Sequence, residues 1–353
     1  MKMAFVSDAI YPYNKGGKEK RIYEISTRLA KRDHNVHVYC MKWWKEKENH
    51  RIENGVHLHA ISRYYPLYSG KRRSIKGAIM FAFACFKLIR KDFDVIDVDH
   101  MPYFVLFSTK VVCILKRKKL FSTWHEVWDK NYWYEYIGWK GYLGYLIEKL
   151  AVLMPEKIIS VSKHTTHNLK NELNSKKPIY TVPNGIGFDL ITKIKPAKEK
   201  SDAIFAGRLI SHKNIDVLIK SIKLIKEKNP EIKSLIIGDG PEKKKLKVLT
   251  QKLNLEKNIK FYGFLENHDD VYALMKSSKV FVLPSTREGF GIVVIEANAS
   301  GIPVIAIDHK NNAARDLTEE RKKCFVCQRN EEEITDKCMK IQMKNYKIRL
   351  KIS

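Results

Sequence analysis

Cysteine is scarce in this sequence, which excludes a disulfide scaffold. The 353 residues include six cysteines, mostly in apolar surroundings where a buried thiol is the usual state. Cys324 and Cys327 form a lone C-x-x-C motif, and a zinc site needs about two further ligands. Since only Cys338 is close in sequence, structural thiols are favoured, and we expect no metal site.

Long apolar runs are also missing. The longest one, Gly77 to Phe86, is about half of the ~20 residues that a membrane-spanning helix requires. The N-terminus turns polar at Ser7 and Asp8, which is too early for the apolar core of a signal peptide. We therefore expect a cytoplasmic protein, with attachment to a membrane surface still open.

Acidic residues are outnumbered by basic ones. There are 39 Asp and Glu against 66 Lys and Arg, a formal net charge of +27. Such a chain is attracted to polyanions, which include nucleic acid, anionic lipid and phosphorylated substrates. A lysine excess can also reflect codon bias, and the basic residues are spread over the whole sequence rather than gathered in a basic tail.

Strand-like and helix-like segments alternate along the chain, and the alternation starts twice. This pattern predicts parallel sheets covered on both faces, in an α/β fold with two Rossmann-like, doubly wound domains facing a cleft. We expect an N-terminal acceptor-side domain over 1–185, a linker over 186–200 and a C-terminal donor-binding domain over 201–335. A short C-terminal helix should follow over 336–353.

Gly16 and Gly17 follow the first predicted strand and precede a helix. Adjacent glycines let backbone amides approach an anion at a helix N-terminus, although an ordinary turn explains them equally well. The stretch from Asn14 to Glu19 lacks the G-x-G-x-x-G spacing, which disfavours an enzyme that uses NAD.

Two strand ends in the second half have residues suited to a phosphorylated sugar. Arg208 ends a strand and Lys213 opens the next helix, so both cations can neutralise a diphosphate. Glu288 and Glu296 frame an E-x7-E pattern, with Gly289 to Gly291 expected as the first helical turn. Eight residues of helix separate the two carboxylates by ~12 Å, which suits a hexose at one end and a ribose at the other. The alternative without a functional role is that Glu288 is a surface residue and that Glu296 forms a salt bridge within the helix.

These motifs resemble those of the retaining nucleotide-sugar glycosyltransferases of family four, which have the GT-B fold. The resemblance spans about residues 1–335, and its most specific element is the E-x7-E pattern. The matching segments are 16–17, 99–100, 123–126, 183–186, 207–209 with 213–214, 238–241, 262–264, 284–285 and 288–296.

The resemblance implies a role for each matching residue. Four are implied to be catalytic: Arg208 and Lys213 hold the donor diphosphate, Glu288 contacts the hexose, and His125 lies at the junction of donor and acceptor. The implied donor-binding residues are Gly17, Gly289, Phe290, Gly291 and Glu296, the last of which takes the ribose hydroxyls. No metal and no other cofactor is implied.

The sequence thus predicts a hexosyltransferase that moves a hexose from a nucleoside-diphosphate sugar to a hydroxyl acceptor. Two alternatives stay open: a nucleotide-sugar epimerase of similar fold, and an inactive, truncated glycosyltransferase or polyanion-binding protein. The second alternative is prompted by the charge and by a final segment, 345–353, that is shorter than the family's last helix. No motif for a specific nucleic acid is present. Gly187 and Phe188, which precede Asp189, also depart from the family's usual Asn-Gly-Ile-Asp.

The acceptor side is expected in the first half, where aromatic and basic residues are dense. Eight Trp and Tyr residues lie in 128–145, which we interpret as an aromatic loop next to His125. Basic segments at Lys71–Lys76 and Lys116–Lys119 accompany the apolar run 77–86. This combination favours a glycan or lipid-linked acceptor at an anionic membrane surface, while a core helix with a solvated rim is the simpler alternative.

Overall fold

A computed structural model describes residues 1–70, 72–319 and 324–344. The chain divides into two compact units, with the boundary between Gly185 and Ile186. Each unit is built on its own mainly parallel sheet with helices packed against it. The prediction of two Rossmann-like α/β domains is confirmed.

The first unit contains an eight-stranded sheet in the order β10-β9-β8-β7-β1-β2-β4-β3. Among the described pairings of this sheet, only β3 with β4 is antiparallel, while β5 and β6 form a separate small hairpin. The strands are Lys2–Val6 (β1), Asn35–Met41 (β2), His50–Glu53 (β3), Val56–Ser62 (β4), Tyr68–Ser69 (β5), Arg72–Arg73 (β6), Val95–Asp99 (β7), Leu120–Trp124 (β8), Lys157–Ser160 (β9) and Ile179–Thr181 (β10).

Six α-helices are described in the first unit. They are Gly17–Ala30 (α1), Ile75–Ala84 (α2), Phe104–Leu115 (α3), Lys130–Ile137 (α4), Gly141–Ala151 (α5) and Lys163–Asn171 (α6). Side chains cap three of the starts. Ser74 accepts a hydrogen bond from the Gly77 N–H at 3.1 Å, Asp129 accepts one from the Tyr132 N–H at 2.8 Å, and Ser162 accepts one from the Thr165 N–H at 2.9 Å. Three-residue and six-residue 3₁₀ turns, Gly138–Lys140 and Cys85–Arg90, complete the helical segments.

The aromatic segment 128–145 is not a loop, so this prediction is wrong. Most of it is helical, in α4 and α5, because Asp129 caps α4 and because Trp133 fills the space beside two glycines. A Cβ atom at Gly144 would lie 2.3 Å from the Trp133 ring, so only glycine permits this close packing. The rings of Trp128 and Trp133 pack at a tilt of 56°, with their centroids 5.0 Å apart.

The second unit contains a six-stranded parallel sheet in the order β13-β12-β11-β14-β15-β16. This is the doubly wound order, in which the direction of winding reverses between β11 and β14. The loops that follow these two strands therefore border the crevice where such folds bind ligands. The strands are Ser201–Ala206 (β11), Ser234–Ile237 (β12), Ile259–Gly263 (β13), Ser278–Leu283 (β14), Val304–Ile307 (β15) and Phe325–Cys327 (β16).

The helices of the second unit present apolar faces to one core. In α8 the buried positions Ile215, Leu218, Ile222 and Ile225 recur at helical spacing. The helices are Phe188–Lys193 (α7), Ile215–Lys228 (α8), Lys243–Lys252 (α9), His268–Lys276 (α10), Ile292–Ala299 (α11), Ala314–Glu319 (α12) and Glu331–Lys344 (α13).

The segment 186–200, predicted as a linker, is part of the second unit. It contains α7, and Ile191 of this helix is only 2% exposed in the core of that unit. Its weak apolar periodicity reflects the shortness of the helix. The predicted C-terminal helix overlaps α13 as far as residue 344, and residues 345–353 lie outside the described residues.

Three further features bear on the function. All six cysteines are free thiols, and Cys324 donates a hydrogen bond to the Asn298 side-chain oxygen at 3.3 Å. In the described part of the chain, no group of three or more metal-ligating side chains is arranged to hold a metal ion. Every helix described there is too short or too polar to cross a bilayer.

Candidate active site

Three strands of the first unit end close to ionisable side chains that meet. Asp8 follows β1, Asp99 ends β7, and His125 follows β8. Lys18, in the first turn of α1, lies 2.7 Å from an Asp8 oxygen and 3.4 Å from an Asp99 oxygen. Parallel strands place their carboxyl ends at one edge of the sheet, which explains why residues so distant in sequence come together.

Burial and charge have opposite effects on this cluster. The side chains of Asp8 and Asp99 are 3% and 2% exposed. Burial by itself would raise the pKa of Asp99, but Lys18 and the hydrogen bond with His125 outweigh it and hold that pKa well below its usual range. Burial would lower the pKa of Lys18, and Asp8 and Asp99 raise it instead. Both groups are therefore charged near neutral pH.

The orientation of His125 is set by this cluster. Its Nε2 atom lies 3.1 Å from Asp99 Oδ1, and its backbone N–H donates to His100 Nδ1 at 3.4 Å. An ionised carboxylate can only accept, so Nε2 of His125 bears the proton and a neutral ring keeps its lone pair on Nδ1. Burial, with His125 nearby, lowers the pKa of His100 to about 3, so that ring is neutral.

Gly17 and a basic residue from 71–76 lie at the same edge. Gly17 is the first residue of α1, directly before Lys18. Arg73 donates to Asp8 at 2.8 Å, which adds a second cation to the cluster. Lys71, from the same predicted basic segment, lies outside the described residues.

In the second unit, the loop after β11 holds the two predicted cations. Arg208 is exposed two residues beyond the strand, and Lys213 ends a 3₁₀ turn, Ser211–Lys213, just before α8. Asn214 adopts a left-handed conformation (φ 47°) and donates to the Pro284 carbonyl at 3.0 Å. This bond ties the loop after β11 to the end of β14.

The loop after β14 holds Glu288, which forms an ion pair with Lys213. The backbone of Glu288 is fixed on both sides, since its N–H donates to Asn311 at 3.0 Å and its carbonyl accepts from Ala313 at 2.9 Å. The structure therefore places Lys213 and Glu288 in contact at the reversal point of the sheet.

The expected helical turn at Gly289 to Gly291 is absent, so this prediction is wrong. Helix α11 begins at Ile292, and Gly291 is its N-cap in a left-handed conformation (φ 85°). A Cβ atom there would lie 2.5 Å from the Cβ of Ala314, so only glycine fits. Phe290 is buried beside this turn. Because 288–291 is not helical, the ~12 Å separation of Glu288 and Glu296, derived from a continuous helix, does not apply.

Glu296 is buried within α11, and it has protein partners. Its Oε1 atom accepts a hydrogen bond from the Tyr272 hydroxyl at 2.8 Å and lies 3.8 Å from His268 Nε2. The burial of Glu296, which the apolar sequence around it predicts, is thus compensated by partners within the protein.

Several functional candidates were missed in the sequence. Asp8 and Lys18 were not predicted. Their positions were the available signal, since Asp8 follows the first predicted strand and Lys18 lies at the start of the next helix. Tyr272 and His268 had no signal of this kind, because their proximity to Glu296 depends on the packing of α10 against α11.

Comparison with known families covers both units. The model described as Glycosyltransferase Family 4 matches residues 15–190, and the model described as Glycosyl transferases group 1 matches residues 189–352. An uncharacterized glycosyltransferase of Haemophilus influenzae is 26% identical over 343 residues, which cover 96% of this chain and 90% of that protein.

Solved structures share the fold at low sequence identity. Sucrose-phosphate synthase from Thermosynechococcus elongatus gives a TM-score of 0.79 at 17% identity and covers 97% of this chain and 89% of its own. HepE of Anabaena, in complex with UDP and glucose, gives a TM-score of 0.73 at 18% identity, with coverages of 98% and 90%. Because the two family models follow one another along nearly the whole sequence, the chain belongs to the family-4 glycosyltransferases and is a glycosyltransferase enzyme with the GT-B fold.

Proposed function

We propose that this glycosyltransferase transfers a hexose from a nucleoside-diphosphate sugar to a hydroxyl group, with retention of configuration at the sugar carbon. The observation that supports the donor site best is the pairing of Lys213 with Glu288 beside the N-terminus of α11. A cation, a carboxylate and a helix N-terminus at one point suit the phosphate and hydroxyl groups of such a donor.

In this proposal, Arg208 and Lys213 bind the diphosphate. Negative charge grows on the diphosphate as its bond to the hexose breaks, so cations there stabilise the transition state more than the substrate. Glu288 and the amides at Gly289, Phe290 and Gly291 bind the hexose and phosphate.

Glu296 is proposed to accept from the ribose hydroxyls. Its Oε1 atom already accepts from Tyr272, but a carboxylate has about four acceptor positions, which leaves capacity for a ligand. The UDP bound by the similar HepE structure is compatible with a nucleotide in a fold of this type.

The first unit is proposed to supply His125 and the acceptor side of the reaction. Its ring orientation is fixed by Asp99, and Gly17, the first residue of α1, places no side chain at the start of that helix. We propose a glycan or a lipid-linked glycan as the acceptor, reached from the cytoplasmic face of a membrane. No metal is proposed, because Arg208, Lys213 and the helix amides suffice to neutralise the leaving group.

The test is slow hydrolysis of the donor, which needs no knowledge of the acceptor. The protein is incubated with a panel of nucleoside-diphosphate hexoses, and proton NMR follows the anomer released first. The proposal predicts that one donor is consumed and that the released hexose keeps its configuration, with or without EDTA. Release of the inverted anomer would exclude retention, full loss with EDTA would indicate a metal, and deuterium uptake into intact donor would indicate an epimerase.

A further inference from the structure

Helix α5 of the first unit exposes apolar side chains to water and buries its acidic one. Its exposed positions are apolar: Tyr142 and Leu143 are 62% and 61% exposed, and Leu146 and Leu150 are each 43% exposed. With about 100° of rotation per residue, these positions fall within one arc of about 100°. In a helix that covers a core, this arc is normally polar.

The acidic residue of α5 faces the opposite way. Glu148 is fully buried, where it accepts hydrogen bonds from the Tyr103 hydroxyl at 2.9 Å, the Trp128 N–H at 2.7 Å and the Trp133 indole N–H at 2.7 Å. These three donors compensate for its burial. The exposed leucines have no such explanation within the unit.

The neighbouring helices extend the same surface. Helices α2, α3 and α5 all contribute side chains to the core cluster that covers one face of the main sheet, through Phe81, Val105 and Ala151 among others. Their opposite sides therefore point away from that sheet face together. We call this surface the outer helical face, and define it by Phe83, Ile114, Leu115, Leu143, Leu146 and Leu150, all exposed.

The charged residues at the surface of these helices are basic. The ranges 75–90 and 104–119 contain three and five basic residues, respectively, and neither contains an acidic one. The five include the run Lys116 to Lys119, directly after Leu115 at the end of α3. In α5 the acidic residue is the buried Glu148, and Lys149 follows it. An apolar surface with basic residues at its edge complements an anionic bilayer, in which acyl chains lie beneath phosphate groups.

We propose that the outer helical face docks this protein on the surface of a bilayer that contains anionic lipid. The inference rests on the proposed membrane-proximal acceptor for its purpose, but the docking itself requires no donor and no transfer. A large exposed apolar surface is unusual for a protein that stays in water. Trp128 and Trp133 of the aromatic segment are not available for insertion into the bilayer, because both are hydrogen-bonded to Glu148. The exposed leucines of α5 are the residues proposed to insert.

The experiment is flotation of the full chain with vesicles of neutral phosphatidylcholine, or of phosphatidylcholine with phosphatidylglycerol. We expect flotation with the anionic vesicles at low salt, and a large loss with neutral vesicles or high salt. Leu146→Gln with Leu150→Gln should lower the partition coefficient by about tenfold for each substitution. Arg117→Gln with Lys119→Gln should lower it by about fivefold for each one.

Matched variants in the second unit control for general effects. Val248→Gln and Lys244→Gln change exposed residues of α9 and should leave flotation unchanged, and circular dichroism confirms folding of every variant. Equal recovery of the wild type with neutral and anionic vesicles would overturn the proposal. So would a wild-type dimer in light scattering that the leucine substitutions dissociate while vesicle binding stays absent, since the face would then bind a second copy. Flotation without donor hydrolysis would leave docking intact and count against the proposed function alone.

Discussion

The candidate sites of the two units are built by different means. In the first unit, buried side chains hold one another: Asp99 is fixed by Lys18 and in turn fixes His125. In the second unit, the backbone provides the fixed parts, namely the bonds that hold Glu288 and the glycine cap at Gly291. Lys213, 15% exposed, forms an ion pair with Glu288 there.

Because of this difference, substitutions in the two sites should affect different properties of the protein. A buried network of charges is sensitive to the loss of any member, because the remaining charges lose their compensation. A site held by backbone tolerates such a loss more easily, since the fold does not depend on the side chain. Substitutions of Lys18, Asp8 or Asp99 should therefore affect folding, and those of Arg208 or Lys213 should affect donor binding and turnover.

The largest effect is expected for Lys18→Met. This substitution leaves Asp8 and Asp99 buried with fewer cations, and breaking a buried ion pair costs ~3–5 kcal/mol. Denaturant unfolding at pH 7 measures it. The matched change Lys243→Met removes a partly exposed pair with Asp239 at 2.5 Å and should cost about 1 kcal/mol or less. Equal losses in the two variants would contradict the distinction between the units.

Arg208→Ala and Lys213→Ala should each lower kcat for donor consumption by about 10²–10³-fold, or ~2.7–4 kcal/mol. The physical reason is the loss of a cation where charge develops. Steady-state kinetics on the best donor measures the effect, and Lys244→Ala, which changes an exposed lysine of α9, is the control. Wild-type turnover in either variant would remove that residue from the proposed site.

Glu296→Gln should raise KM more than it lowers kcat, by about 1.5–3 kcal/mol in binding. A carboxylate that accepts from a ribose does so in the ground state and the transition state alike, so uniform binding is lost. Tyr272→Phe, which removes one protein partner of Glu296 and keeps its carboxylate, separates a positioning effect from the direct contact. An unchanged KM with a collapsed kcat would contradict the proposed role.

Much of the fold could be predicted from the sequence, because alternating apolar strands and amphipathic helices fix a doubly wound architecture. The strands β3 and β4 were not predicted, although Val56 and Leu58 alternate with His57 and His59 in the pattern of a half-buried strand. The start of α11 was placed too early because Gly291 adopts a left-handed conformation, packed closely against Ala314, and local sequence does not encode this packing. The ionic cluster around Lys18 was missed for the same reason, as its partners are remote in sequence.

A smaller effect, of pH on stability, is expected from the histidines at the outer edge of the first sheet. His37 Nδ1 and His59 Nε2 lie 2.9 Å apart, with His50, His57, Lys2 and Lys91 close enough to disfavour charge. Burial, then the neighbouring histidines, lower the pKa of His37 to about 4 and that of His59 to about 3.

The unfolded chain, with histidine pKa values of ~6.5, therefore binds more protons between pH ~6.5 and ~4, and stability falls as pH decreases through that window. His59→Gln should reduce the resulting fall in Tm by about 2–4 °C. Scanning calorimetry at pH 7 and pH 4.5 measures it, with His167→Gln on α6 as the control. An identical fall in wild type and His59→Gln would show that this pair does not contribute.

The most direct test of the account is whether the second unit binds a nucleoside diphosphate. Thermal unfolding of the full chain is followed with each common nucleoside diphosphate in turn. A ligand that binds only the folded state adds ~2.7 kcal/mol of stability at 100 times its Kd. The account predicts that at least one of them raises Tm for the wild type, and that the double variant Arg208→Ala with Lys213→Ala abolishes the increase. A wild type that none of them stabilises, or a double variant stabilised as much as the wild type, would contradict the proposed donor site.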